Sequence, residues 1–290
     1  MPTRGKRHAE TICGRAIRQF LTGILAVSAV VTAVTLVASP HARAESDGVK
    51  VPSKSMFRNL VSAEDVEKTA AAQYAAMRDE IRERGKLLDA GHPLVTRVRR
   101  IAEAILPHTQ KFNERAKDWE WEINVFDSPT INAFCMPGGK IGVYSGLVDR
   151  LQLTDDEIAM IVGHEMGHAL WEHARERSAK TTLTDVGSRI VGRLLLGDAG
   201  ELIGVAGASL AALKYSRNDE TEADLIGMEL AARAGYDPRA GITLWQKMSK
   251  AAKGAPPQWL STHPSGSTRI KTIEDNLKDV MPLYERAKRS

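Results

Sequence analysis

Thr154-Asp155-Asp156-Glu157 opens an apolar run that carries Ile158, Ile161, Val162, Met166, Ala169 and Leu170, and inside it sits His164-Glu165-Met166-Gly167-His168. The first four residues have the form of a capping box, in which Thr154 accepts from the amide of Glu157 and the Glu157 carboxylate reaches back. The apolar positions recur at helical intervals, so a helix is predicted from about residue 155. Residues four apart share a helix face, so the two imidazoles can reach one ion. Glu165 projects beside them, placed to take a proton from a water molecule. A charged trio in an apolar helix is costly to bury without a compensating interaction, and this favours a metal over a solvated histidine face.

A catalytic zinc ion takes three protein ligands and keeps one position open. The extended metzincin pattern needs Gly and His three and six residues after the second histidine. Trp171 and Ala174 stand there instead, and His173 is off by one. A glutamate from a later helix is the other common solution. Asn218-Asp219-Glu220-Thr221-Glu222-Ala223-Asp224 begins a helical run through Leu225, Met228 and Ala232 that closes at Gly235. Glu220 and Asp224 share a face, so Glu220 can ligate while Asp224 accepts the free ring N–H of a ligating histidine. Glu222 competes for the ligand role but has no acid four residues on.

Working outward, the long pattern Val66, Ala70, Tyr74, Met77, Ile81 and Leu88 predicts a helix capped by Ser62 and broken at Gly91-His92-Pro93. A second helix carries Leu94, Val98, Ile101, Ala102 and Ile105 and stops before Pro107. Alternation over residues 119–125 and the short run Lys140–Tyr144 predict strands. The fold class is therefore α+β, mainly helical, with a small sheet between helical regions. The Gly-, Ala- and Leu-rich stretch 181–213 reads either as core-packing helices or as a lid or membrane-touching element.

The first 44 residues form a unit of their own. A basic start gives way to an uncharged run from Phe20 to Ser39, and Ala42 and Ala44 stand at signal-peptidase positions, so cleavage after Ala44 is expected. The alternative is an uncleaved anchor, since the run approaches the ~20 residues that span a bilayer. Either way the remainder, 45–290, is one domain, exported to a periplasm or held at a membrane surface. The leader holds six basic residues against Glu10 alone, and removing that surplus of five from the net +4 leaves the rest at −1. The basic balance belongs to targeting, and nucleic-acid binding loses its support. Cys135 stands alone once Cys13 leaves, so no intramolecular disulfide is expected, and between Phe134 and Met136 it reads as a small apolar residue.

The chain resembles the gluzincin peptidases grouped with the CAAX prenyl protease, HtpX and BepA. Four ordered stretches carry the resemblance: Asn132-Ala133-Phe134 with Pro137-Gly138-Gly139; His164-Glu165 and His168 with His173; Ser216-Arg217, Glu220, Glu222-Ala223 and Asp224; and Thr262-His263-Pro264-Ser265 with Arg269-Ile270. It implies a zincin-like fold and one zinc ion per chain. His164, His168 and Glu220 would be the ligands, Asp224 their helper and Glu165 the general base. The resemblance also places His263 and Arg269 at the site among the catalytic residues, where His263 either steadies an oxyanion or caps the metal at rest. Membrane-embedded relatives carry further hydrophobic spans and BepA-like ones carry C-terminal repeats. The present chain looks like the short, single-domain members.

The implied activity is hydrolysis of polypeptides, unfolded or extended ones above all. Envelope quality control is implied by the resemblance, and association with membrane or assembly machinery is a further expectation. The Lys140–Tyr144 strand is expected to offer its edge to substrate, with Asn132, Ile141 and Val143 contacting it. Two rival classes stand beside the peptidase: a chaperone-like or scaffold protein with a capped, dormant zinc site, and a structural zinc site. The first has no use for Glu165, and closed structural sites favour cysteine.

Overall fold

The computed structural model describes residues 47–182, 215–253, 257–264 and 267–289. The leader and the 181–213 stretch, apart from its first two residues, lie outside them. Nine α-helices and a three-stranded sheet follow one another in this part of the chain: α1 (Ala63–Glu83), α2 (Pro93–Ile105), β1 (Glu122–Phe126), β2 (Ala133–Met136), β3 (Lys140–Tyr144), α3 (Ser145–Leu151), α4 (Asp155–Leu170), α5 (His173–Thr182), α6 (Arg217–Arg233), α7 (Ala240–Ala251), α8 (Gln258–Thr262) and α9 (Ser267–Ala287). Among the described residues no helix is long and apolar enough to cross a membrane. The mainly helical α+β architecture matches the expectation from sequence.

The predicted capping box at Thr154 forms, with Thr154 N donating to Glu157 at 2.9 Å and Glu157 N to the Thr154 hydroxyl at 3.3 Å. A second one, Ser216 with Asp219, opens α6. Helix α1 is shorter than its pattern. It ends at Glu83, Gly85 takes φ +64°, and Leu88 belongs instead to an extended stretch whose amide donates to Val125 O at 3.0 Å. Leu88 keeps the helical spacing by coincidence.

The sheet order is β1-β3-β2, with β3 parallel to β1 and antiparallel to β2. This corrects the expected substrate edge. Lys140–Tyr144 is the central strand, hydrogen-bonded on both sides, and Ile141 and Val143 are buried core residues with nothing to offer a substrate. The edge strands are β1 and β2, and the four residues of β2 are all buried and show no alternation. The β2 side chains have helices on both sides of the sheet. Tyr74 of α1 packs with Phe134 on one face and donates to Ile141 O at 2.7 Å, while Ala133 and Cys135 join the main core. Cys135 is free and buried, as expected.

Helices α4 and α6 cross at the centre of the molecule, and glycines set how closely. A Cβ on Gly227 would lie 2.6 Å from His164 N, and one on Gly163 would lie 2.8 Å from Gly227 O. A Cβ on Gly167 would stand 3.0 Å from Ala223 O. Two backbones in contact bring the side chains of one helix's first turn over the histidines of the other. Gly227→Ala should therefore force the helices apart, lowering stability by about 1–3 kcal/mol in denaturant unfolding, as overpacking does. It should also weaken metal binding; unchanged metal affinity would show that the crossing does not set the site. Behind α6, the buried carboxylate of Glu229 accepts from Val49 N and Arg233 Nε at 2.7 Å each, fastening the start of the domain to this helix.

Candidate metal centre

Four buried side chains converge where α4, α6 and the end of α8 meet: His164, His168, Glu220 and His263. His164 Nε2 lies 3.1 Å from His168 Nε2 and 3.3 Å from His263 Nδ1. Glu220 Oε1 lies 3.0 Å from His263 Nδ1 and 3.4 Å from His168 Nε2, and its Oε2 is 3.7 Å from His164 Nε2. Ligands at 2.0–2.1 Å from a tetrahedral zinc ion stand about 3.3–3.4 Å apart. The observed spacings fit that shell.

The donor chemistry fits as well. His164 Nδ1 lies 3.1 Å from Asp224 Oδ1, a carboxylate that can only accept, so this nitrogen carries the proton and Nε2 presents a lone pair. Arg269 Nη2 also comes within 3.3 Å of His164 Nδ1, but it is committed to Asp224 Oδ1 at 2.6 Å, the shorter and charge-assisted bond. Burial holds the His168 imidazole well below its usual pKa, hence neutral, the form that binds metal. For Glu220 burial alone would favour protonation, yet the His168 and His263 imidazoles beside it hold the carboxyl far below its usual range. Lone pairs and an anion that face one another at about 3 Å call for a cation between them.

Each sequence-predicted residue can be placed. Glu220, not Glu222, faces His164 and His168. Asp224, expected to help a ligating histidine, meets His164, and burial is outweighed there by the Arg269 charge and the His164 bond, which keep its carboxyl ionised. Glu165, 2% exposed, lies beside the cluster, 3.6 Å from His263 Nε2. Arg269 departs from its expected place among the catalytic groups. Its guanidinium bonds Glu220 through Nη1 and Asp224 through Nε and Nη2, and stacks over Trp245 at 4.1 Å. It stands behind the acids as a clamp and is only 3% exposed. Asn132 is tied by its carbonyl to Tyr144 N at 3.1 Å, just ahead of the edge strand.

Two residues of the centre escape sequence reasoning. Trp259 of α8 donates its indole N–H to Glu165 Oε1 at 2.7 Å and stacks on His263 with ring centroids 4.6 Å apart. Tyr215 stacks on His168 at 3.7 Å, and its amide donates to Thr262 O at 3.0 Å. No local pattern could have shown either contact, because the partners lie far apart in the chain. A buried tryptophan four residues before a candidate site histidine is the only hint.

Residues 94–277 match the model of peptidase family M48. The chain belongs to this family. That match covers more than half of the chain and takes in β1–β3, both histidines of α4, the acids of α6 and His263. Among M48-like relatives, the mitochondrial metalloendopeptidase OMA1 of Arabidopsis thaliana is 39% identical over 153 residues, which is 53% of this chain and 31% of that protein. Metalloprotease LoiP of Escherichia coli is 31% identical over 157 residues, 53% of this chain and 61% of LoiP. The beta-barrel assembly-enhancing protease of Yersinia pestis is 30% identical over 165 residues, 52% of this chain and 33% of that protein. The chain thus spans less than two thirds of each of these relatives' lengths. All three are proteases by name, in agreement with the resemblance read from the sequence motifs.

Proposed function

We propose that this M48 protein is a zinc-dependent endopeptidase that cleaves flexible or unfolded polypeptide, binding one zinc ion through His164, His168 and Glu220. The observation that carries the reading is the near-tetrahedral spacing of acceptor atoms with a carboxylate, Glu165, beside them. Zinc held by these three residues would supply Lewis acidity, lowering the pKa of a water molecule to about 7. Glu165 takes the proton of the attacking water and delivers it to the leaving amine. The Trp259 indole N–H fixes the Glu165 carboxylate on one oxygen and leaves the other for that proton. Strand β2 supports the substrate class. It is one of the two edges of the sheet, and it borders a small cavity lined in part by Ala133, Cys135, Pro137, Glu165, Tyr215 and His263. An extended segment added along this edge would pair its backbone there, a mode that unfolded chains satisfy and folded ones do not.

In this conformation His263 Nδ1 takes the fourth corner, the one a substrate or water would need. This favours the resting-cap role for His263 over the oxyanion role. His263→Ala should retain zinc and raise the rate of cleavage of an unfolded protein; a fall of tenfold or more with zinc retained would assign His263 to the reaction itself.

Export through residues 1–44 and work on envelope proteins belong to the same proposal. Their support is the leader's charge and A-x-A pattern, together with the barrel-assembly role that the Yersinia relative's name carries. The OMA1 relatives are mitochondrial by name, so an organellar location is the competing reading. The test of function is hydrolysis of an unfolded model protein by the purified chain with and without a chelator. Cleavage that stops with the chelator and returns with zinc is expected. Chelator-resistant cleavage, or none from both wild type and His263→Ala in zinc, would overturn the peptidase reading.

A further inference from the structure

His173 and Glu222 are left over once the proposed ligands and base are assigned, yet they are bonded to the centre in series. His168 Nδ1 lies 2.9 Å from His173 Nδ1, and His173 Nε2 lies 2.9 Å from Glu222 Oε2. His173 is 1% exposed. The Glu222 carboxylate can only accept, so His173 carries its proton on Nε2 and presents a lone pair at Nδ1. His168 must then donate from Nδ1, which leaves its Nε2 lone pair aimed at the ion. The order of donors runs one way, from the centre outward to the carboxylate.

The local backbone is built for this contact. Residues five apart on one helix stand about 140° away from each other around the axis and cannot meet. Helix α4 instead stops at Leu170, Glu172 takes the left-handed conformation at φ +63°, and α5 starts afresh at His173. A non-glycine residue in that region is uncommon. The kink swings His173 back beneath His168.

We propose that His173 and Glu222 are positioning residues for the metal, acting through His168 by fixing its tautomer and ring orientation. Resting on the zinc reading above, this gives the first two turns of α6 a threefold task. Glu220 faces the ion, Asp224 orients His164 directly, and Glu222 orients His168 through one intervening imidazole. His173, Asp219 and Glu222 also approach closely enough to hold a second ion. Two observations argue against that use: both His173 nitrogens are engaged, and Asp219 Oδ2 accepts from Ser216 N at 2.8 Å in the helix cap.

The test measures zinc affinity of the full chain by competition with a chromophoric chelator, the visible spectrum of the cobalt-substituted protein, and the thermal midpoint of the metal-free form. His173→Phe and Glu222→Leu should each weaken zinc binding roughly 10- to 100-fold, as loss of an outer hydrogen-bond partner does. They should change the cobalt spectrum while leaving the metal-free midpoint near that of wild type. The double variant should bind no more weakly than His173→Phe, because both act along one path. Glu222→Gln keeps an acceptor for His173 and should recover most of the affinity lost in Glu222→Leu. Glu222 is on the periphery of the cluster, so its variants keep the proposal testable where His173→Phe misfolds. Unchanged zinc affinity in Glu222→Leu, additive losses in the double variant, or two zinc ions per wild-type chain would overturn the proposal. A wild-type chain that binds no zinc would instead overturn the underlying zinc reading.

Discussion

Glu165→Gln should lose 100-fold or more of the rate of peptide hydrolysis, within the range of about 10²–10⁴ that general base catalysis contributes, while holding as much zinc as the wild type. The substitution separates chemistry from structure unusually well at this position. Glu165 is buried and accepts from the Trp259 indole at 2.7 Å. A glutamine oxygen can accept the same bond, so packing against α8 survives. What glutamine cannot do is take a proton from water. Glu165 is not among the four side chains placed to hold an ion, so affinity for zinc has no reason to fall. Elemental analysis beside a turnover assay decides the matter. Retained turnover in a zinc-loaded variant would remove Glu165 from the reaction and leave the cluster as a binding site.

The second large effect is on stability. Arg269→Met should destabilise the metal-free protein by about 3–5 kcal/mol, the usual cost of stripping one partner from a buried ion pair. Methionine approximates the arginine stem and keeps a contact with Trp245, so the loss is electrostatic. Arg269 is the shared cation for Glu220 and Asp224, both almost wholly buried. Without it, two carboxylates face each other across one turn of α6 with only imidazoles for company. Zinc should repair part of the defect, because an ion that binds only the folded state adds to stability by mass action. Denaturant unfolding with and without zinc should thus show a wider zinc-dependent gap in the variant than in wild type. A metal-free variant within about 1 kcal/mol of wild type would show that the clamp is dispensable.

Much of this architecture is legible in the sequence where physics is local. The periodicity and histidine spacing of α4 lie within its 16 residues, with the cap just ahead of them, and the helix forms as they dictate. Helix α2 and strand β3 are equally local. Sequence patterns fail where partners are distant or where a short element lacks periodicity. Strand β2 has four buried residues in a row, so nothing distinguishes it from a core loop, and without it the order of strands cannot be inferred. That is why β3, read from sequence as an edge, turns out to be the central strand. Resemblance puts Arg269 at the site, but only the fold reveals that it faces the acids from behind. The link from His168 to His173 depends on one left-handed residue, Glu172, whose conformation no side-chain pattern announces. The Trp259–Glu165 bond joins elements 94 residues apart and exists only because α8 packs over α4.

The central claim is that His164, His168 and Glu220 hold a single zinc ion, and anomalous scattering at the zinc edge from crystals of the chain tests it most directly. One peak within about 2.0–2.2 Å of both Nε2 atoms and a Glu220 oxygen is the predicted result. A crystal of active protein with no such peak, or with its peak among His173, Asp219 and Glu222, would contradict it.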